Sequence, residues 1–355
     1  MDPRIEAYAR VLVDCIRPEP DWQVLVRSQP PARPLIEEVS RELGRRGARA
    51  LVRLAFDPYA SVFVKEAPME RLATLADIER HEIDNADAYI AILAPENTVS
   101  ASDIPAERLA AWTSARREPH QPFLSDVKPW VGCYYPTAAA AQDAGMSLRS
   151  FEDFLFGAVL INWEELRRKM ERIAERFDAA SVVRIVGEGT DLTFSLEGRE
   201  GKVDALAANM PGGEVFYAPL EDSAEGVISY SEYPACYLGH EVGGVRLRFE
   251  GGTIVEASAE SDEAYLIGTL DSDEGARRLG EFGIGCNPGI QLHTKNTLFD
   301  EKMAGTIHLA VGTSFPQIGG LNRSGIHWDM VKDLRTGGRI ELDGVVVQED
   351  GEWQL

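Results

Sequence analysis

The segment "GIHWDM" (325–330) sets a histidine and an aspartate two positions apart inside an apolar run. In an extended strand successive side chains leave opposite faces, so His327 and Asp329 share one face, about 7 Å apart along the backbone. Ile326, Trp328 and Met330 leave the other face. Two polar groups placed this way either spoil a buried surface or aim two ligands at one point. The anomaly recurs close by. His308 interrupts the strand-like run "GTIHLAVG", Glu214 opens "GGEVFYAP" directly after a glycine turn, and Glu281 lies among glycines and apolar residues in "LGEFGIGCNPGI". Asp300 and Glu301 close "TLFDEKMAGTIHL", where capping of a turn or helix start is an alternative role. Glu214, Glu281, Glu301, His308, His327 and Asp329 thus bring carboxylates and imidazoles into one stretch. Isolated buried carboxylates are too costly to leave unpaired, and this stretch offers few cations beyond Lys295, Lys302 and Arg323. One or two divalent metal ions would compensate several of them together. Mixed oxygen and nitrogen ligation suits zinc, manganese, cobalt or iron better than calcium. No HExxH or similar local motif is present, so spacing alone does not fix the ligand set.

The remaining histidines separate by surroundings. His81 and His120 lie in polar, charged segments and read as surface residues, whereas His240 and His293 lie near turns and stay undecided. Cys286 and His293 could be paired as thiol and base, but no signature or orienting partner accompanies them, and an inert buried cysteine is the better reading.

The elements that must position these residues fall into two halves. A chain of 355 residues exceeds the roughly 250–300 at which one core stops growing, so two domains are expected. Up to about residue 145, short apolar runs (22–28, 48–56, 86–94 and 129–135) alternate with helical patterns such as 33–47, which closes at a glycine. The alternation predicts an α/β N-terminal domain with a parallel sheet. No GxGxxG follows the first strand. Residues 162–178 read as one charged helix bridging the halves. Beyond it come short β-branched and aromatic runs separated by glycine-rich turns, with one helix candidate at 273–282. The expected architecture is an α/β domain over 1–179 followed by a mostly β (α+β) metal-binding domain over 180–355.

Composition narrows the partners. Asp and Glu outnumber Lys and Arg by 58 to 36, giving a formal charge of −22. Such a chain repels nucleic-acid backbones and anionic membrane surfaces, and neither is an expected partner. The N-terminal residues carry early charges and no uninterrupted apolar stretch, and no run approaches a membrane span of about 18 residues. Cys15, Cys133, Cys236 and Cys286 are far apart and form no CxxC pair. A disulfide framework is not expected, and a cytoplasmic location is.

The segments "GGEVFYAP", "GARRLGEFGIGCN", "NTLFDEKMAGTIHLAVG" and "NRSGIHWDMV" resemble, in order and surroundings, the motifs of the aminopeptidase T-like metallopeptidases, family M29. The resemblance is specific over about residues 180–340 and vaguer before them. It implies two divalent ions, most simply zinc, cobalt or manganese, held by Glu214, Glu281, His308, His327 and Asp329, with Glu281 as the bridge. Glu301 matches a further active-site glutamate, a general base or outer ligand. The implied reaction is hydrolytic release of the N-terminal residue from short peptides with a free N-terminus, by a homodimer. Two departures accompany the likeness. The interval from Glu301 to His308 is about two residues longer than in better known members, and Phe315 stands where an active-site tyrosine is expected, with Tyr217 or Tyr230 as possible substitutes.

Iron-dependent ring-cleaving dioxygenases of the 2,5-dihydroxypyridine type provide the alternative. They resemble this chain in the "EDSAEG" turn (221–226) and in the H-x-D pair, and their pattern has a histidine where Glu281 stands. Retention of the glutamate and of the other carboxylates favours two hard ions and hydrolysis.

Overall fold

The computed structural model describes residues 2–124 and 127–354. The chain divides into two compact units, Met1–Ile161 with Leu206–Gly212, and Asn162–Ala205 with Gly213–Leu355.

The first unit is built on a five-stranded sheet in the order Arg49–Leu54, Gln23–Ser28, Ala88–Leu93, Trp130–Tyr134, Asn209–Met210, with every neighbour parallel. Its central strands carry Val24, Leu25, Val26, Ala88, Ile90, Val131 and Cys133, all fully buried. Continuous apolar runs of this kind suit a parallel sheet covered on both faces. The helix Arg33–Arg45 buries Leu35, Ile36, Val39 and Leu43 at the helical repeat, and Gly47 takes up a left-handed conformation (φ 79°) just past its end. These elements match the expected α/β half. Its fifth strand does not come from that half of the sequence: Asn209–Met210 returns from far downstream, and two residues are too few to show a period.

The second unit is antiparallel. Eight strands run in the order Thr253–Ser258, Val245–Glu250, Glu225–Tyr230, Thr190–Ser195, Val182–Gly187, Arg339–Leu342, Val345–Glu349, Glu352–Trp353. A second sheet of five runs His327–Asp333, Thr306–Gly312, Leu279–Gly285, Glu214–Tyr217, Lys202–Asp204. The sheets meet through aromatic rings, with Phe194 of the first and Phe282 of the second 5.0 Å apart. The helix Trp163–Asp178 belongs to this unit. It buries Leu166, Met170, Ile173 and Phe177, and the Phe177 ring lies 5.8 Å from both Tyr217 and Phe282 and 6.1 Å from Trp353.

The helix expected at 273–282 is absent. Residues 273–277 form turns and Leu279–Gly285 is a wholly buried central strand, while the helix of this region is Glu263–Leu270. The alternation Leu279, Glu281, Gly283, Gly285 is a strand period that the preceding charged residues masked. Among the described residues no helix is long and apolar enough to cross a membrane.

Gly283 shows why glycines interrupt this strand. It pairs with His308 across the ladder, and a Cβ at Gly283 would fall inside the van der Waals envelope of the His308 ring. His308 is fully buried and has no room to swing aside. Gly283→Ala is therefore expected to destabilise the protein by about 1–3 kcal/mol, the usual range for overpacking a core. Thermal denaturation measures this, and an unchanged midpoint would mean that the imidazole does not lie where the structure has it.

Candidate metal centre

The period of two decides which side chains meet. Phe282 points toward the eight-stranded sheet, so Glu281 and Gly283 leave by the opposite face of the five-stranded sheet. The register then carries that face across neighbouring strands. Gly285 pairs with Glu214, Gly283 with His308, Glu281 with Ala310, Ala310 with Asp329, and Gly312 with His327. Glu214, Glu281, His308, His327 and Asp329 thus project from one surface, and the small Ala310 on the rung between Glu281 and Asp329 leaves space above it. Trp328, on the other face, stacks on Tyr237 at 5.3 Å. Glu301 arrives from a turn directly after the short helix Thr297–Asp300.

Three triads result: Glu214, Glu281 and His308; Glu281, His327 and Asp329; and Glu301, His308 and Asp329. Within each, one ligand atom per residue lies within 4.8 Å of the others. All six residues singled out in the sequence are gathered here, and the longer interval before His308 does not remove Glu301 from the group. His240 and His293 fall elsewhere. His240 stacks on Tyr265 at 3.7 Å, and His293 stacks on Tyr233 at 4.7 Å with its Nε2 3.2 Å from Asp300. Asp300 accepts from the Thr294 backbone and hydroxyl, a structural role. Cys286 is buried and burial pushes its thiol up to about 12, which makes it inert at neutral pH.

The hydrogen bonds of the histidines fix what they offer. His308 donates from Nδ1 to the Glu301 carbonyl at 3.1 Å, and His327 donates from Nδ1 to the Thr313 carbonyl at 2.9 Å. A carbonyl can only accept, so both Nδ1 atoms carry hydrogen, and a neutral ring then presents a bare Nε2 to the cluster. Nε2 of His308 lies 3.3 Å from Glu281 Oε1 and 3.7 Å from Glu214 Oε2. Nε2 of His327 lies 3.4 Å from Glu281 Oε2 and 3.5 Å from Asp329 Oδ1. Lone pairs facing carboxylate oxygens repel unless a proton or a metal cation lies between them. Metal-ligating histidines characteristically give their other nitrogen to a carbonyl, as both do here. Glu214 Oε2 and Asp329 Oδ1 are moreover buried with no hydrogen-bond partner. The residues present fit divalent cations.

Without metal, protons must fill that role. Burial pushes the Glu214 carboxyl up to about 8, although Lys302 beside it acts in the opposite sense. Glu281 is held below the usual range, against burial, by hydrogen bonds from His308 and His327. Asp329 is likewise lowered to about 2, against burial, by His327. Against the same desolvation, Glu281 and Glu214 raise His308 to about 9, and Asp329 and Glu281 raise His327 to about 12. Glu301 is raised by burial. Lys302, fully buried, keeps its charge because Glu214 and Glu301 outweigh the desolvation. Lys302 was legible in the sequence only as a nearby cation; its burial between two glutamates was not.

Phe315 lies beside the cluster, its ring 5.0 Å from His327 and 6.4 Å from Phe216. The wall where a phenol was expected is apolar. Tyr217 is committed on the opposite face to the Ala174 carbonyl and Asp178. Tyr230 is buried, and burial together with nearby Asp329 keeps its phenol protonated. A separate cavity of about 930 Å³ in the first unit is lined by Arg27, Tyr89, Trp112 and Arg116. Arg27 and Arg116 pair with Glu79, and Arg53, also in the lining, pairs with Glu82, and the described lining contains no histidine or cysteine.

The shifts have a definite sign. The raised His308 and Glu214 values exceed the ordinary 6.5 and 4.5, so their protonated forms stabilise the metal-free fold. That contribution is complete at low pH and disappears as pH climbs through about 8 for Glu214 and about 9 for His308. The melting temperature of chelator-treated protein is expected to fall between pH 6.5 and 9, while metal-loaded protein holds or gains stability as protons cease to compete. A flat or rising chelated curve over that window would contradict this electrostatic picture.

Comparison with known proteins places the chain in a family. A family model described as thermophilic metalloprotease (M29) matches residues 1–353. Aminopeptidase 2 of Geobacillus stearothermophilus is 26% identical over 363 residues, spanning 89% of this chain and 84% of that protein. Aminopeptidase T of Thermus aquaticus is 32% identical over 249 residues, 60% of each. A solved structure of wild-type AmpT from Thermus thermophilus shares the fold, with a TM-score of 0.86 over 99% of both chains at 24% identity. Those relatives are aminopeptidases, which does not favour the ring-cleaving dioxygenase alternative. With a match that runs from end to end, the chain belongs to the thermophilic metalloprotease family M29, a family of hydrolases.

Proposed function

We propose that this protein is an aminopeptidase in which Glu214, Glu281, His308, His327 and Asp329 hold two divalent ions, zinc, cobalt or manganese, with Glu281 bridging them. The observation that carries the reading is the pair of imidazoles whose Nδ1 atoms are committed to carbonyls while their Nε2 atoms face opposite oxygens of one carboxylate, Glu281. A carboxylate addressed from both sides in this way is suited to bridge two cation positions. The substrate class, short peptides with a free N-terminus, rests on the named relatives, and a homodimer on the family likeness.

Divalent ions bound there supply Lewis acidity, polarising the scissile carbonyl and making water a stronger acid. The chain's own groups manage the proton. Glu301 belongs to the triad that includes His308 and Asp329, and burial raises its carboxyl while Lys302 beside it acts in the opposite sense, leaving a carboxylate placed to serve as general base. It accepts the proton of the attacking water and delivers it to the departing nitrogen, so that the peptide C–N bond is exchanged for one C–O and one N–H bond. His308 and His327 keep their orientation through the Glu301 and Thr313 carbonyls. Phe315 offers the approaching substrate an apolar wall instead of a hydrogen bond.

The direct test is metal content of gently purified protein by mass spectrometry, with leucine p-nitroanilide hydrolysis after EDTA and after adding back Zn²⁺, Co²⁺ or Mn²⁺. Close to two ions per chain and metal-restored release of leucine are expected. About one iron per chain with no hydrolysis would overturn the reading, and oxygen uptake on 2,5-dihydroxypyridine would then be the assay to run. Asp329→Ala is expected to lose metal and at least about 100-fold in activity; unaltered metal content and rate would remove Asp329 from the ligand set.

A further inference from the structure

Among the described residues, Lys302 is the one lysine or arginine ion-paired within the centre. Its side chain is fully buried, its backbone N–H donates to the Phe299 carbonyl, and its own carbonyl accepts from Asn287, so the main chain is pinned on both sides. Nζ lies 3.2 Å from Glu214 Oε1 and donates to Glu301 Oε1. Buried Asp204 pairs with Glu214 in the sheet and adds a further carboxylate to that flank. Among the described residues no other lysine or arginine is ion-paired with Glu214, Glu281, Glu301 or Asp329.

The atoms it chooses are informative. Lys302 takes Oε1 of Glu214, while the atom left buried without a hydrogen bond is Oε2, which faces His308. One oxygen is held by the ammonium and the other is thereby aimed at the cluster. The third triad, Glu301 with His308 and Asp329, is equally able in geometry to attract an ion, yet Glu301 already has a cation. A fixed positive charge in a water-poor site repels any further cation strongly.

We propose that Lys302 is a positioning residue that acts as a built-in third cation: it limits the centre to two metal ions, makes Glu214 a one-oxygen ligand, and keeps Glu301 uncoordinated. The inference rests on the aminopeptidase reading above. It separates Lys302 from an ordinary structural lysine by sign. Loss of a merely structural residue loosens the centre and weakens metal binding. Loss of a repelling charge tightens metal binding and draws Glu301 into coordination, so the metal is better held while the rate falls.

The test is Lys302→Gln, which keeps a hydrogen-bond donor and removes the charge, compared with wild type in the metal-loaded state. Zn²⁺ retention is read by competition with a chromogenic chelator, ion number by mass spectrometry, and kcat and KM with leucine p-nitroanilide. The expected result is at least about 10-fold slower or weaker loss of Zn²⁺, within the range by which outer-shell changes move metal affinity, with a lower kcat and little change in KM. Weaker or unchanged retention with two ions per chain would overturn the role of Lys302 while leaving the aminopeptidase reading intact. Wild-type protein that retains no divalent ion would instead remove the reading and the inference together. Starting from loaded protein keeps the comparison possible if the variant is unstable without metal, and Lys302→Arg, which preserves the charge, is expected to keep wild-type ion number and retention.

Discussion

The constraint on which this structure turns is the burial of several carboxylates in one place. Glu214 and Glu281 are each 5% exposed and His308 is fully buried, in surroundings where an unpaired charge is heavily penalised. Protons, an ammonium or metal ions can meet that requirement, and the centre has provision for all three. Raised imidazole values mark the protons, Lys302 the ammonium, and the Glu214 and Asp329 oxygens left without a hydrogen bond are places that divalent cations would fit. Folding, metal binding and proton uptake are consequently aspects of one charge balance.

The antiparallel sheet makes such a concentration possible. A helix would spread the same ligands along one stripe, whereas four adjacent strands place them on a two-dimensional grid with the spacing between strands set by backbone hydrogen bonding. Small residues keep the grid open: Gly283 admits the His308 ring, and Ala310 separates the Glu281 and Asp329 rungs. On the reverse face, Phe282, Tyr217 and Trp328 pack into aromatic contacts that hold the strands in register. A one-residue slip would exchange the two faces, placing charges in the core and rings at the site.

Much of this was legible because a polar residue at the wrong phase of a strand is a strong local signal. His327 with Asp329, and His308 alone, betrayed themselves by interrupting apolar alternation, and Glu281 by its glycine neighbours. Glu301 was less legible because its position depends on a turn, and only the fold shows that its carbonyl orients His308. The misplaced helix at 273–282 has the converse cause: the charged run before Leu279 imitates a helical face, and the strand's own period of two is partly erased by glycines. The two-residue strand Asn209–Met210 offered no period to read. Lys302 illustrates a different limit. A lysine next to a glutamate in sequence is ordinarily a solvated pair, and only the three-dimensional neighbour Glu214 turns it into an interior counter-ion.

Burial is graded across the centre, and the gradient separates two tasks. At the deep end, the side chains of Lys302, His308 and Glu214 are at most 7% exposed; at the other, His327 is 24% exposed and Phe315 is 37% exposed. Fixed charges are strongest where water is absent, so the deep end is where ligand geometry is best enforced and where exchange with solvent is slowest. The His327 and Phe315 side is the more exposed one, and there an apolar ring flanks an imidazole. On the proposed aminopeptidase reading, a peptide that approaches from that side would meet shape and hydrophobic contact before it meets charge. On the proposed reading, with no phenol at residue 315, stabilising developing negative charge would fall to divalent ions held at the deep end, and the identity of residue 315 is expected to tune rate and side-chain preference more than metal binding.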